Sequence, residues 1–211
     1  MDDVHEGERF DAAARLALIE DQQRLVRRAV GVDARLLYGV WGLTWLAGFG
    51  LAAATGGREP LLSVPDALPG AVLAVLLTGA GLTTLLHSVR VGRGLSGPGA
   101  RTAVLYGWSW VLGFLALTAV NTAVVTTATG PAVADLLWPA SSGLFVGVMY
   151  LFGGTLWREP AQFGLGAWLL LTTAGGALLG PPALLWVMSL GGGGAFLAVA
   201  ARYALRRGRA A

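Results

Sequence analysis

Pro182-Ala-Leu-Leu-Trp-Val-Met-Ser-Leu-Gly-Gly-Gly-Gly-Ala-Phe-Leu-Ala-Val-Ala-Ala-Arg-Tyr203 is an apolar run with four consecutive glycines near its centre. It has the roughly 20 residues that a helix needs to cross about 30 Å of hydrocarbon. Inside such a helix each glycine lowers helix propensity by about 1 kcal/mol relative to alanine. Gly191, Gly192, Gly193 and Gly194 also strip one turn of the helix of all its side chains. Two physical reasons would keep such a turn. Another helix packs against it backbone to backbone, or the turn is unwound and lines a cavity. The sequence leaves both open, and both place the run inside a membrane.

The rest of the chain has the same character. Of its 211 residues 55% are hydrophobic and only 13% are charged, about half the usual globular share. Mean hydropathy is +0.65. Five more apolar segments precede the glycine run: Leu36–Ala54, Ala67–Val89, Thr102–Thr126, Leu136–Trp157 and Ala161–Leu179. The fifth and sixth are separated only by Gly180-Pro181-Pro182, which stops a helix. The expected fold is all-α: a polytopic membrane protein with six transmembrane helices. Three parts follow, a cytosolic segment over 1–34, the six-helix domain over 35–203 and a basic cytosolic tail over 204–211.

Charge sets the orientation. All 15 basic residues are arginine, as a GC-rich source would give. Arg9, Arg15, Arg24, Arg27, Arg28 and Arg35 precede the first span. Arg90, Arg93 and Arg101 lie between the second and third, and Arg158 between the fourth and fifth. Arg202, Arg206, Arg207 and Arg209 close the chain, so Arg58 alone falls on the other side of six spans. The positive-inside rule then places both termini in the cytosol of a bacterial cytoplasmic membrane. The charges follow the spans and no reader domain accompanies them, so nucleic acid is not an expected partner.

Before the first span, Asp11/Arg15 and Glu20/Arg24 are favourable i,i+4 pairs. Phe10, Ala14, Ala17, Leu18, Leu25 and Ala29 make a broken apolar stripe, and the pattern predicts an amphipathic cytosolic helix. Its basic end, Arg24, Arg27 and Arg28, would hold anionic lipid headgroups, as would Arg206 and Arg207 after the last span. Docking to a cytosolic protein partner is the rival use of this helix. The small-residue seams leave a homo-oligomer open as well.

The spans carry a weak repeat. Each odd span opens with an arginine followed by aromatic-Gly and a tryptophan: Arg35, Tyr38-Gly39, Trp41; Arg101, Tyr106-Gly107, Trp108; Arg158, Phe163-Gly164, Trp168. Each even span holds a glycine-rich turn: Gly79-Ala80-Gly81, Gly153-Gly154 and Gly191–Gly194. Three related helical hairpins would explain this. An interfacial aromatic belt with small packing residues would give the same texture without a repeat.

The run Asp33-Ala-Arg-Leu-Leu-Tyr-Gly-Val-Trp-Gly-Leu-Thr-Trp45, then Tyr106-Gly-Trp-Ser-Trp110, Trp138-Pro139 and Gly191–Gly194 together resemble a group of uncharacterised actinobacterial integral membrane proteins. The resemblance covers about Ala17 to Ala201. It implies six spans. It also implies the loose transporter or permease label given to such proteins, and it supplies no catalytic or binding residues.

Polar groups within spans are the default functional pointers. Asp135 opens the fourth span, as a helix cap or as a cation or substrate contact. Asn121 lies in the outward half of the third span, where it bonds another helix or lines a polar path. Ser189 precedes the glycine run. His87 sits beside Arg90 at the end of the second span, where it snorkels to the interface or senses pH. Threonines such as Thr83, Thr84, Thr172 and Thr173 are expected to bond back to their own helix carbonyls. Gly143-x-x-x-Gly147 and Gly176-x-x-x-Gly180 read as packing seams.

Enzyme chemistry is hard to build from this inventory. There is no Cys, which removes disulfides, thiolate nucleophiles and zinc–thiolate sites. Neither an HExxH motif nor a P-loop is present, and no cofactor or metal is expected. The expectation is therefore a small transporter-like or permease-like protein for a small or lipophilic solute. Its pathway would run by Gly191–Gly194 with Asn121, Asp135 and Ser189 as contacts. The alternative is a non-transporting scaffold or accessory subunit that binds a cytosolic partner through its N-terminal helix.

Overall fold

A computed structural model describes residues 33–57, 59–93, 98–127 and 130–208. Among these the regular structure is helical throughout, with six helices long and apolar enough to cross a membrane. The helices are α1 (Ala34–Thr55), α2 (Ala67–Gly92), α3 (Pro98–Thr127), α4 (Pro131–Leu156) and α5 (Pro160–Leu179). The last span is built in three pieces: α6 (Pro181–Trp186), a π-helical segment (Val187–Gly193) and α7 (Gly194–Gly208). This is the six-span all-α architecture expected. The amphipathic helix expected before residue 33 lies outside the described residues.

Local chemistry sets the ends. Asp33 caps α1, its carboxylate accepting from the backbone amides of Arg35 at 3.1 Å and Leu36 at 3.4 Å. The hydrogen-bonded Arg35 guanidinium holds the Asp33 carboxyl below the usual carboxylate range. Proline begins α4, α5 and α6, where its missing N–H costs nothing. Gly180, at φ 95°, makes the reversal between α5 and α6.

Two boundaries differ from expectation. Asp135 does not cap α4: the helix starts four residues earlier at Pro131, with Gly130 at φ 119° as the cap residue. The Gly130-Pro131 pair outranks an aspartate, because proline at the first turn fixes φ and needs no hydrogen bond. At the other end α7 continues to Gly208, so the region set apart as a tail from residue 204 begins as helix.

The three sequence-related pairs do pack together: α1 on α2, α3 on α4, and α5 on the last span. The tightest associations are others, α4 with α5 and α1 with the last span. Glycine is the reason for the first. A Cβ on Gly166 of α5 would stand 2.5 Å from the Leu151 amide nitrogen and 2.8 Å from the Gly147 carbonyl oxygen. Only a bare glycine lets these backbones approach so closely.

The core forms where α1, α4, α5 and the last span meet. It holds Trp45, Phe49, Leu165, Leu169, Leu184, Met188 and Phe196. Outside it, α2 packs on α1 and α3 on α4, with no other substantial neighbour among the described residues. Only 6% of the most apolar window of α2 is buried and none of that of α3, against 28–39% in the other four spans. Each of these two helices covers a single stripe. In α3 it is Thr102, Tyr106, Trp110, Gly113, Leu117, Asn121 and Val125, at the three-and-four spacing of one helix face.

Candidate functional site

Gly191, Gly192 and Gly193 lie in the π-helical segment Val187–Gly193, against α1, and Gly194 begins α7. Single π turns within α-helices are uncommon and frequently mark functional positions. Contacts run antiparallel at four-residue steps. A Cβ on Gly42 would meet Leu197 at 2.8 Å, and one on Gly50 would meet Ser189 Oγ at 3.0 Å. Between them a Cβ on Gly193 would stand 2.7 Å from the Leu46 nitrogen and 3.0 Å from the Gly42 carbonyl oxygen. So α1 residues 42, 46 and 50 face residues 197, 193 and 189 of the last span.

The four glycines have different surroundings. Gly192 faces the Trp45 indole, with a Cβ 2.6 Å from Cε3. Gly193 faces the α1 backbone. Gly191 has room for a Cβ, 3.7 Å from Val187, while its carbonyl accepts the Trp168 indole N–H at 3.0 Å. Gly194 faces open space. Ser189, 1% exposed, donates its hydroxyl to the Leu46 carbonyl at 2.9 Å. The glycine turn is thus helical, and it serves as a crossing point.

The other expected site residues fall elsewhere. Asn121 is 2% exposed and donates from Nδ2 to Ser141 Oγ at 2.8 Å, joining α3 to α4. That hydroxyl in turn donates to the Leu137 carbonyl at 2.6 Å. Asp135 is exposed near the start of α4. Asn121 and Asp135 therefore share the α3–α4 pair, and Ser189 and the glycines share the α1 crossing. His87 accepts the Asp33 backbone N–H at Nε2, 2.9 Å away. Arg206 is exposed on α7. Arg24, Arg27 and Arg28 lie outside the described residues, as does the Arg207 side chain. Among the described residues no group of His, Asp or Glu is placed to hold a metal ion.

Thr83, Thr84 and Thr172 bond back to their own helix carbonyls, as expected. Thr173 departs from this. Fully buried, it directs its hydroxyl at Met188 Sδ, 3.6 Å away, beside Gly143.

One feature escaped the sequence. An aromatic network links the core to α3. Tyr38 stacks on Tyr203 at 5.9 Å, and Phe196 meets both Trp45 and Tyr150 edge-on. Tyr150 then meets Trp110, 6.0 Å away. Tyr38 and Trp110 read equally well as interfacial belt residues, since only tertiary packing separates a ring against lipid from a ring against another ring. For the crossing itself a signal existed: the eight-residue spacing of Gly42 and Gly50.

The contacts gather one end of the molecule. Tyr38 lies near the start of α1 and Tyr203 near the end of the last span, Tyr106 near the start of α3 meets Trp157 after α4, and His87 near the end of α2 meets Asp33. Arg35, Arg90, Arg93, Arg101, Arg158, Arg202 and Arg206 all belong to that end of their helices. No protein-family model matches the chain, and neither a curated protein nor a solved structure does.

Proposed function

We propose that this polytopic membrane protein works as a non-transporting scaffold or accessory subunit, with both termini in the bacterial cytosol. The observation that carries the proposal is the contact of Gly193 with the α1 backbone at Gly42 and Leu46. It fills the place where a solute path past the glycine turn would run. The polar groups support the same view. Ser189 and Asn121 are engaged in helix-joining hydrogen bonds, which in membranes contribute about 0.6 kcal/mol on average and up to about 2 kcal/mol. The cytosolic orientation rests on the arginines gathered at one end. The N-terminal segment is then the part that meets a cytosolic protein.

The native chain lacks cysteine, so single cysteines report on a clean background. Ser189→Cys, Asn121→Cys and Asp135→Cys variants are exposed to a membrane-impermeant thiol reagent from each side. We expect labelling of D135C from the outer side and none of S189C or N121C. Labelling of S189C would show water at the crossing and would replace the scaffold by a carrier.

A further inference from the structure

We propose that the groove between α1 and α2 is a binding site for a lipophilic carbonyl compound without a charged headgroup. The site does not depend on whether the protein is a scaffold or a carrier. Two contacts between the helices flank it. Nearer the arginine-rich end the Trp41 indole N–H donates to Thr84 Oγ1 at 3.0 Å. Towards the other end Gly48 meets Leu73, where a Cβ would stand 2.5 Å from Cδ1. Between them the groove has a volume of about 550 Å³. Small-molecule sites commonly measure about 300–1,000 Å³. Leu43 and Ala47 of α1 and Val75 and Gly79 of α2 line it and are exposed. Thr44 and Ala80, 4% and 2% exposed, form its floor. The groove continues along α2 past Val75 and Leu76 to Ala71 and Val72.

Thr44 is the one polar side chain among the lining residues. The hydroxyls of Thr83, Thr84 and Thr172 bond back to carbonyls of their own helices. The Thr44 hydroxyl makes no hydrogen bond among the described residues. Nor is it sealed in, since every fully enclosed side-chain oxygen or nitrogen among those residues has a partner. It therefore opens onto the groove that Thr44 lines. Hydrocarbon offers such a donor nothing, so its proton calls for an acceptor on the occupant. Depth narrows the class. Thr44 lies at the midpoint of the 22-residue α1. At 1.5 Å per residue that is about 15 Å from either end. A phospholipid anchored by its headgroup keeps its ester oxygens in the interfacial region, outside the hydrocarbon core. The occupant is instead a hydrocarbon body carrying a ketone- or quinone-type carbonyl. A carbonyl answers the donor without bringing a second proton that would need its own acceptor there.

The probe is an alkyl-substituted benzophenone, whose ketone accepts a hydrogen bond and, under near-ultraviolet light, couples to an adjacent C–H carbon. The full chain in lipid nanodiscs is illuminated with it, and the labelled positions are mapped by peptide mass spectrometry. Labelling is expected to concentrate on residues 40–47 and 75–80, the two walls of the groove. A long-chain methyl ketone should displace the probe, and the alkane of equal length should not. Thr44→Val keeps the side-chain shape without the hydroxyl and should lower labelling about three- to tenfold, the size of one hydrogen bond in a membrane. Gly79→Leu acts from the other helix, growing into open space, and should abolish labelling. A thermal melt of each variant shows that the fold is retained. Labelling spread evenly over the lipid-facing positions of α2 and α3 would mean ordinary lipid contact only and would overturn the proposal. So would equal displacement by the alkane, or native-level labelling in T44V or G79L.

Discussion

Gly79-Ala80-Gly81 in α2 and Gly191–Gly194 in the last span have the same texture in sequence, yet Gly79 and Gly81 on one side and Gly192 and Gly193 on the other have opposite surroundings in the fold. A Cβ added to Gly79 or Gly81 meets nothing within 4 Å. On Gly192 or Gly193 it collides with the Trp45 ring or with the backbone of Leu46. Gly153-Gly154 sides with the packed turn, against Gln162, Tyr106 and the Phe163 backbone. Bare backbone therefore permits close approach without enforcing it. What decides is the neighbour. The last span lies beside α1, which carries its own glycines at positions 42 and 50, whereas in α2 the contact is made by the buried Ala80 and the two glycines flank it.

The sharpest challenge to this contrast is Gly193→Ala. The added methyl must displace backbone atoms of α1, and overpacking of that kind costs about 1–3 kcal/mol. We expect a clear loss of thermal stability in detergent or nanodiscs; an unchanged melting temperature would mean the crossing is looser than described. Ser189→Ala probes the same crossing without crowding it. Losing the bond to the Leu46 carbonyl should cost about 1 kcal/mol, in the usual range for interhelical hydrogen bonds in membranes. The smallest effect belongs to Gly79→Ala, where a methyl enters open space. Stability should change by less than about 0.5 kcal/mol, as for exposed sites in general. A loss as large as that of G193A would mean that α2 has a partner on its glycine face.

Much of the fold was legible. Six spans could be placed because length and apolarity are local properties, and the helix boundaries were found to within a few residues. Asp135 failed as a cap because Gly130-Pro131 made a stronger start upstream. The pairing was less accessible. Nothing local tells Gly79 from Gly192, or says that Trp110 reaches Tyr150 while Trp108 lies open, since those outcomes depend on which helix comes to lie alongside. Asn121 and Ser189 stand out in the sequence as polar residues in apolar helices. Their partners, Ser141 and the Leu46 carbonyl, are set by tertiary contact alone.

The placement of α2 and α3 has a further consequence. They are consecutive in the chain, yet each rests on a different helix of the central four. Together they form a cassette of two crossings between α1 and α4. Inserting or deleting an even number of crossings leaves the sidedness of everything downstream unchanged. The central quartet of α1, α4, α5 and the last span keeps its own topology with or without the cassette. Loss or duplication of this pair of crossings would therefore leave the rest of the chain uninverted.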